Sequence, residues 1–192
     1  MKTVKYEIKD KTGITGRVTI TTLPIHTPQA ARIDALLAKA CLMDTEAYYG
    51  LLNKLRSLCG HTRQVSYDNL VTTRGREVLT RLLNGDTTYT GAITHGALGT
   101  GSIAPAAGNV ALGTEVARKQ IATRSRVGTT LTIDFYYSKS DTNGTYQEFG
   151  TFIDGTPTVD SGQLFNRVLT GGWTKSATEA LTVSVQFDIN PS

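Results

Sequence analysis

The sequence predicts an α+β protein, in which a small N-terminal helical region with a β-hairpin arm precedes an antiparallel β-sandwich. Two observations carry most of this. Residues 27–85 hold stretches with apolar residues at helical spacing, bounded by helix start and stop residues. After Gly85 the composition turns to Thr, Gly and Ala, and short stretches alternate apolar with polar residues between turn signals. The stretch from Gly128 to Asp154 organises that second part. Leu131, Ile133, Phe135 and Tyr137 alternate with Thr130, Thr132, Asp134 and Tyr136, so the apolar set shares one face of a strand. Small and polar residues follow to Asn143-Gly144, a turn pair tolerant of positive φ. Residues 145–153 are then expected to return as the second strand of a hairpin with a long tip.

In chain order, Val4, Tyr6 and Ile8 alternate, Lys11-Thr12-Gly13 has turn character, and Val18 and Ile20 resume the alternation. Residues 1–26 are therefore expected to form a β arm. An isolated two-stranded hairpin is marginal in water, so this arm needs a partner surface, on its own chain or another. Thr27-Pro28 starts a helix with a hydroxyl cap and a proline in the first turn, and Ile33, Leu36, Leu37 and Ala40 form its stripe. Asp44 caps a second helix carrying Tyr48, Leu51, Leu52 and Leu55, with Gly60 as its stop. A third runs from about Thr73 to Leu83 with Val78, Leu79, Leu82 and Leu83 buried, ended by Asn84-Gly85. The three are expected to form a small bundle over residues 27–85.

Residues 86–192 are expected to form the sandwich. DTTYTGAI reads as a turn and short strand, and His95 to Gly108 as a Gly/Ala/Pro connection. Val116 to Val127 reads as one strand with Arg118, Lys119, Arg124 and Arg126 on an exposed face. Gln163 to Leu169 reads as a strand, and Gly171-Gly172-Trp173 to Glu179 as a loop. Leu181, Val183, Val185, Phe187 and Ile189 give the cleanest half-buried strand.

Charge is unevenly spread. Residues 1–85 hold 13 Lys/Arg and 7 Asp/Glu, a balance of +6; residues 86–192 hold 7 and 9, a balance of −2, together the +4 of the whole chain. The basic residues are scattered rather than clustered, which favours a protein partner over nucleic acid. No apolar run approaches the roughly 18 residues of a membrane span, and MKTVKYEIKD has no apolar core of a secretory signal. Cys41 and Cys59 lie 18 residues apart with no CxxC pair, and are read as free thiols on helices in preference to a disulfide.

The search for chemistry returns no catalytic, metal or cofactor site. In Gly96-Ala97-Leu98-Gly99-Thr100-Gly101-Ser102 no Lys precedes Ser102 to reach a phosphate. His26, His61 and His95 are singletons, read as loop residues facing solvent. Glu148 and Asp154 lie on the central hairpin, with Glu148 read as a solvated strand residue. Tyr136 and Trp173 fall off the apolar alternation. They are the candidate surface contacts, for a protein or a sugar, although edge packing inside the sandwich is the favoured reading of both.

Five pieces, in order, carry a resemblance: NLVTTRGREVLTRLLNGDTTYTGAITHGALGTG, APAAGNVALGTEVARK, NGTYQEFGTFIDG, SGQLFNRVL and TKSATEALTVSVQFDI. Together residues 69–192 resemble a module of virion structural proteins of tailed bacteriophages, of the tail, baseplate or fibre type. Members of that group usually carry Tyr-Arg where this chain has Ala117-Arg118. The resemblance implies a β-sandwich, assembly as a homo-oligomer with other virion proteins, and no enzymatic activity. It also implies location in a virion assembled in the host cytoplasm, with no small-molecule substrate, no cofactor and no membrane. Capsid decoration, a head collar and carbohydrate or receptor binding are the alternatives.

Overall fold

The computed structural model describes residues 13–189. The expected strand through Val4, Tyr6 and Ile8 lies outside them. The described chain is mostly strand, in two five-stranded antiparallel sheets with three helices. The first sheet holds β1 (Ile14–Pro24), β2 (Arg63–Asp68), β6 (Thr123–Val127), β7 (Thr130–Tyr137) and β10 (Glu179–Ile189), in the order β2-β1-β10-β7-β6. The second holds β3 (Leu70–Val71), β4 (Ile93–Gly99), β5 (Glu115–Gln120), β8 (Gly144–Ile153) and β9 (Gln163–Lys175), in the order β3-β9-β8-β4-β5. The facing sides enclose one core that includes Val18, Ile20, Phe135, Phe149, Val183 and Phe187.

Local signals place the helices well. Thr27 caps α1 (Pro28–Leu37) by accepting from the Ala30 amide at 3.1 Å. Asp44 caps α2 (Thr45–Cys59) by accepting from the Ala47 amide at 3.0 Å. Thr72 caps α3 (Thr73–Leu83) through the Gly75 amide, and its own hydroxyl donates to the Leu164 carbonyl at 2.5 Å. The three do not form the expected bundle. Helices α1 and α2 pack on each other and on the outer face of the first sheet, where Leu23, Ala122, Tyr136 and Ala180 meet Leu37, Tyr48 and Leu55. Helix α3 packs against β9 instead, with Gly75 pressed on Phe165.

Residues 14–24 are not an arm. Strand β1 lies between β2 and β10, with Val18 opposite Val185 and Ile20 opposite Val183. The sheets therefore draw strands from both sides of Asp86, and the expected boundary there does not divide them. The physical reason is the shared apolar face. Val18 and Ile20 are fully buried, and each such side chain contributes about 1.5–3 kcal/mol when taken from water. No short-range pattern announces a partner strand that lies so far along the chain.

The expected central hairpin is also different. Strand β7 bonds to β6 and β10 in the first sheet, while β8 bonds to β4 and β9 in the second. Residues 138–143 arch across the core between them. Their apolar faces meet rather than lying side by side: the Phe135 and Phe149 rings stand edge to face, 5.6 Å apart. Alternation is identical for the two arrangements, so the sequence does not distinguish them.

Three further expectations change. The stretch from His95 opens inside strand β4, because Gly96 lies beneath Phe135 and Phe149, where a Cβ would come within 2.8 Å of both rings. The single basic strand over 116–127 is two strands in different sheets, with the chain crossing at Ile121 and Ala122. The loop expected from Gly171 is a continuation of β9, in which Gly171 and Gly172 take φ of 66° and 92° and carry a bulge opposite Tyr146 and Glu148.

Candidate functional site

The residues singled out for surface contact are inside. Tyr136 is 2% exposed; its ring lies between the first sheet and α1–α2, and its hydroxyl donates to Asp34 Oδ1 at 2.8 Å. Burial and the Asp34 carboxylate raise its pKa. Trp173 is 3% exposed; its Nε1 donates to Thr22 Oγ1 at 2.9 Å, and the Arg63 guanidinium stands 4.0 Å over its ring. Arg63 also donates to the Thr174 carbonyl at 2.9 Å. Tyr136 thus belongs to the helix–sheet layer, and Trp173 joins the two sheets and closes one end of the sandwich. The structure does not bring them together, and neither offers a ring face to a sugar.

The other chemistry-bearing residues are scattered too. Cys41 is exposed in the α1–α2 connection and Cys59 is buried at the end of α2; both are free, and burial raises the Cys59 pKa. His26 and His61 are exposed as expected. His95 is buried on β4, and burial followed by the nearby Arg118 lowers its pKa. Asp154 accepts from the Thr90 amide at 2.8 Å and from its hydroxyl, fixing a turn. Among the described residues, no three His, Cys, Asp or Glu side chains converge as metal ligands do.

Sequence reasoning missed the most heavily bonded side chain. Glu148 is fully buried on the outer face of the second sheet. It accepts from the amides of Gly101 and Thr114 at 2.9 Å, from Gly113 at 3.0 Å, and from Arg167 Nε at 2.7 Å. Arg167 in turn donates to Asn109 Oδ1 and the Ile103 carbonyl, both at 2.9 Å. Gly101 of the glycine-rich segment, with Gly113 and Thr114, thus presents its amide to a carboxylate of its own chain. The effect is structural: residues 100–114 are held as a cover over Ala97, Phe152 and Leu164, with Leu112 completing that small apolar cluster. Beside it, Glu115 pairs with Arg118 at 2.6 Å and the Arg118 guanidinium lies 4.1 Å over Phe152. The available signal was an acid and a base on neighbouring strands of one apolar sheet.

Helices α1 and α2 thus cover one half of the outer face of the first sheet, leaving Arg17 and Gln186 exposed on the other half, and residues 100–114 cover part of the outer face of the second. The sheet edges are β2 and β6 in the first sheet and β3 and β5 in the second. Strand β2 is exposed except for the half-buried Tyr67, β6 is exposed at Arg124, Arg126 and Val127, and the end of the sandwich opposite Trp173 is also open. That end holds a cleft of about 410 Å³ with Ile14, Ile93, Leu131, Ile133, Phe165 and Phe187 in its wall, and Arg124 and Arg126 beside them. Its apolar lining suits burial of another chain's side chains; among the described residues it carries no pair of titratable groups for proton transfer. No helix of the described residues is long and apolar enough to cross a membrane. No family model, curated protein or solved structure matches the chain.

Proposed function

We propose that this is a structural virion protein of a tailed bacteriophage, a tail, baseplate or fibre-attachment component that assembles as a homo-oligomer and performs no catalysis. The observation that carries this reading is the exposed edge strand β2 on a sandwich whose two outer faces are each partly covered by the chain itself. An uncovered edge is a template for a strand of another copy. The order of the five sequence pieces supports the same reading.

In this reading residues 27–85 attach the protein to its neighbours. Leu36, Leu42 and Leu58, 54%, 52% and 38% exposed, lie in or beside α1 and α2 and give that layer apolar contact area. The buried ion pairs hold the sandwich in one shape for assembly.

A reconstruction of the particle tests this. The expected result is three or six copies per ring at the tail, with β2 or the α1–α2 layer at subunit contacts. Copies confined to the capsid surface would replace the reading with the decoration or collar alternative. Absence from purified particles would end it.

A further inference from the structure

The open end of the sandwich sets two guanidinium groups beside an apolar hollow. In the antiparallel pairing of β6 with β7, Arg124 stands opposite Ile133 and Arg126 opposite Leu131. Directly opposed residues share a face of the sheet, so both arginines project from the inner, apolar face. Both line the cleft of about 410 Å³, and both are exposed at its rim. Arg126 donates to the Gly128 carbonyl at 2.8 Å, and among the described residues no carboxylate lines the cleft. The wall is built from both sheets and α3, through Ile133 of β7, Phe187 of β10, Ile93 of β4, Phe165 of β9 and Leu79 of α3. Apart from the two arginines and Ser125, the lining side chains are apolar. A mostly apolar hollow with a few placed polar groups, within roughly 300–1,000 Å³, is the usual form of a small-ligand site.

We propose that this cleft binds a single-chain amphiphilic carboxylate of the fatty-acid class, with its alkyl chain between the sheets and its carboxylate at Arg124 and Arg126. An alkyl chain needs no hydrogen-bond partner, which suits a wall that offers almost none. Burying it against that wall removes apolar surface from water on both sides. The planar guanidinium fork matches a carboxylate, and two of them at one rim supply the charge that the lining leaves uncompensated. Other occupants fit less well. A sugar or nucleotide brings many polar groups that these walls cannot satisfy. A cationic amphiphile meets two like charges. A second copy paired through the β6 edge about Ser125 sets Arg124 against the copy's Arg126, and like charges directly opposed are destabilising. The inference goes beyond the virion reading and does not rest on it.

The test titrates the full chain with sodium decanoate, below the concentration at which it aggregates, and follows the methyl spectra of Ile and Leu. Saturable shifts are expected at Leu79, Ile93, Leu131 and Ile133, with Leu52 and Leu55 of α2 unmoved. Across hexanoate, octanoate and decanoate, affinity is expected to rise about fourfold per methylene. Decanol, of the same length without the charge, is expected to bind about tenfold more weakly. Acetate and decyltrimethylammonium are expected to give no saturable shifts. Arg124→Gln with Arg126→Gln is expected to abolish the preference for decanoate over decanol while leaving decanol binding unchanged. The Leu52 and Leu55 methyls report that the fold is intact in that variant. The proposal is overturned by an absence of saturable shifts, by equal affinity for decanoate and decanol, or by a preference that survives the double Gln change. Shifts reproduced by acetate would reduce the site to a surface anion contact, and shifts spread to Leu52 and Leu55 would mark a detergent effect; either also overturns it.

Discussion

Arg167 Nε donates to Glu148 Oε2 at 2.7 Å on the outer face of the second sheet, where neither side chain reaches solvent. With three backbone amides on the same carboxylate, this pair fastens residues 100–114 to the sandwich. Removing one member of a buried pair leaves the other charge uncompensated, at a cost of about 3–5 kcal/mol. Glu148→Ala is therefore expected to lower unfolding stability by that order in urea titrations. Amide exchange in residues 101–114 is expected to accelerate ahead of global unfolding. A loss under about 1 kcal/mol with unchanged exchange would mean the cover is held by its apolar contacts alone.

Asp134 sets a pH dependence. Burial raises its pKa, opposed by hydrogen bonds from Tyr49 and Ser184 and by Arg56. The Tyr49 hydroxyl donates to its Oδ2 at 2.5 Å, joining α2 to β7. A carboxyl with a raised folded pKa binds its proton more tightly in the native state. Its contribution is complete below the unfolded pKa and is lost as pH rises through the folded value. Between the ordinary carboxylate range and the raised value, Asp134→Asn is expected to flatten the decline of stability with rising pH. Melting curves of both proteins from pH 3 to pH 7 check this; parallel profiles would contradict it.

Two glycines are expected to respond with opposite sign. Gly96→Ala places a methyl 2.8 Å from the rings of Phe135 and Phe149, overpacking that typically costs about 1–3 kcal/mol. Gly50, in the middle of α2, has nothing within 4 Å of an added Cβ. Gly50→Ala is expected to stabilise by about 0.5–1 kcal/mol through helix propensity. Paired denaturation curves give both numbers.

Trp173 is the sole tryptophan and joins β9 to Thr22 of β1. Its emission is expected to be blue-shifted and poorly quenched by acrylamide in the native protein. Arg63→Ala uncovers the ring and is expected to shift emission to the red and increase quenching. Strong quenching of the unaltered protein would show that this end of the sandwich is open.

Legibility in the sequence followed the range of the interactions. Caps at Thr27 and Asp44 act within three residues, and both are where the local pattern predicted. Alternation identified β10 because one face of that strand supplies Leu181, Val183, Val185 and Phe187 to the core. Tyr136 misled because β7 is buried on both faces: a residue off the apolar alternation meets α1 and α2, not water. Glu148 misled for the same reason, since its outward face is roofed by a loop whose closeness is set by the fold. The choice between a hairpin and an arch after Tyr137 depends on which strands stand next to β7, and those come from residues 123–127 and 179–189. Distant pairings of that kind leave no local signature.

Every other inference depends on strands from the two sides of Asp86 sharing one core. The most direct measurement is thermal unfolding of residues 86–192 expressed alone. That fragment keeps β10 but lacks β1, its neighbour along the full register from Ile14 opposite Ile189 to Pro24 opposite Glu179. It also lacks α1 and α2, which cover Tyr136 and Ala180. The predicted result is an insoluble fragment, or one without a cooperative transition, that becomes folded on co-expression with residues 1–85. A soluble fragment with a sharp melting transition near that of the full chain would contradict the shared core.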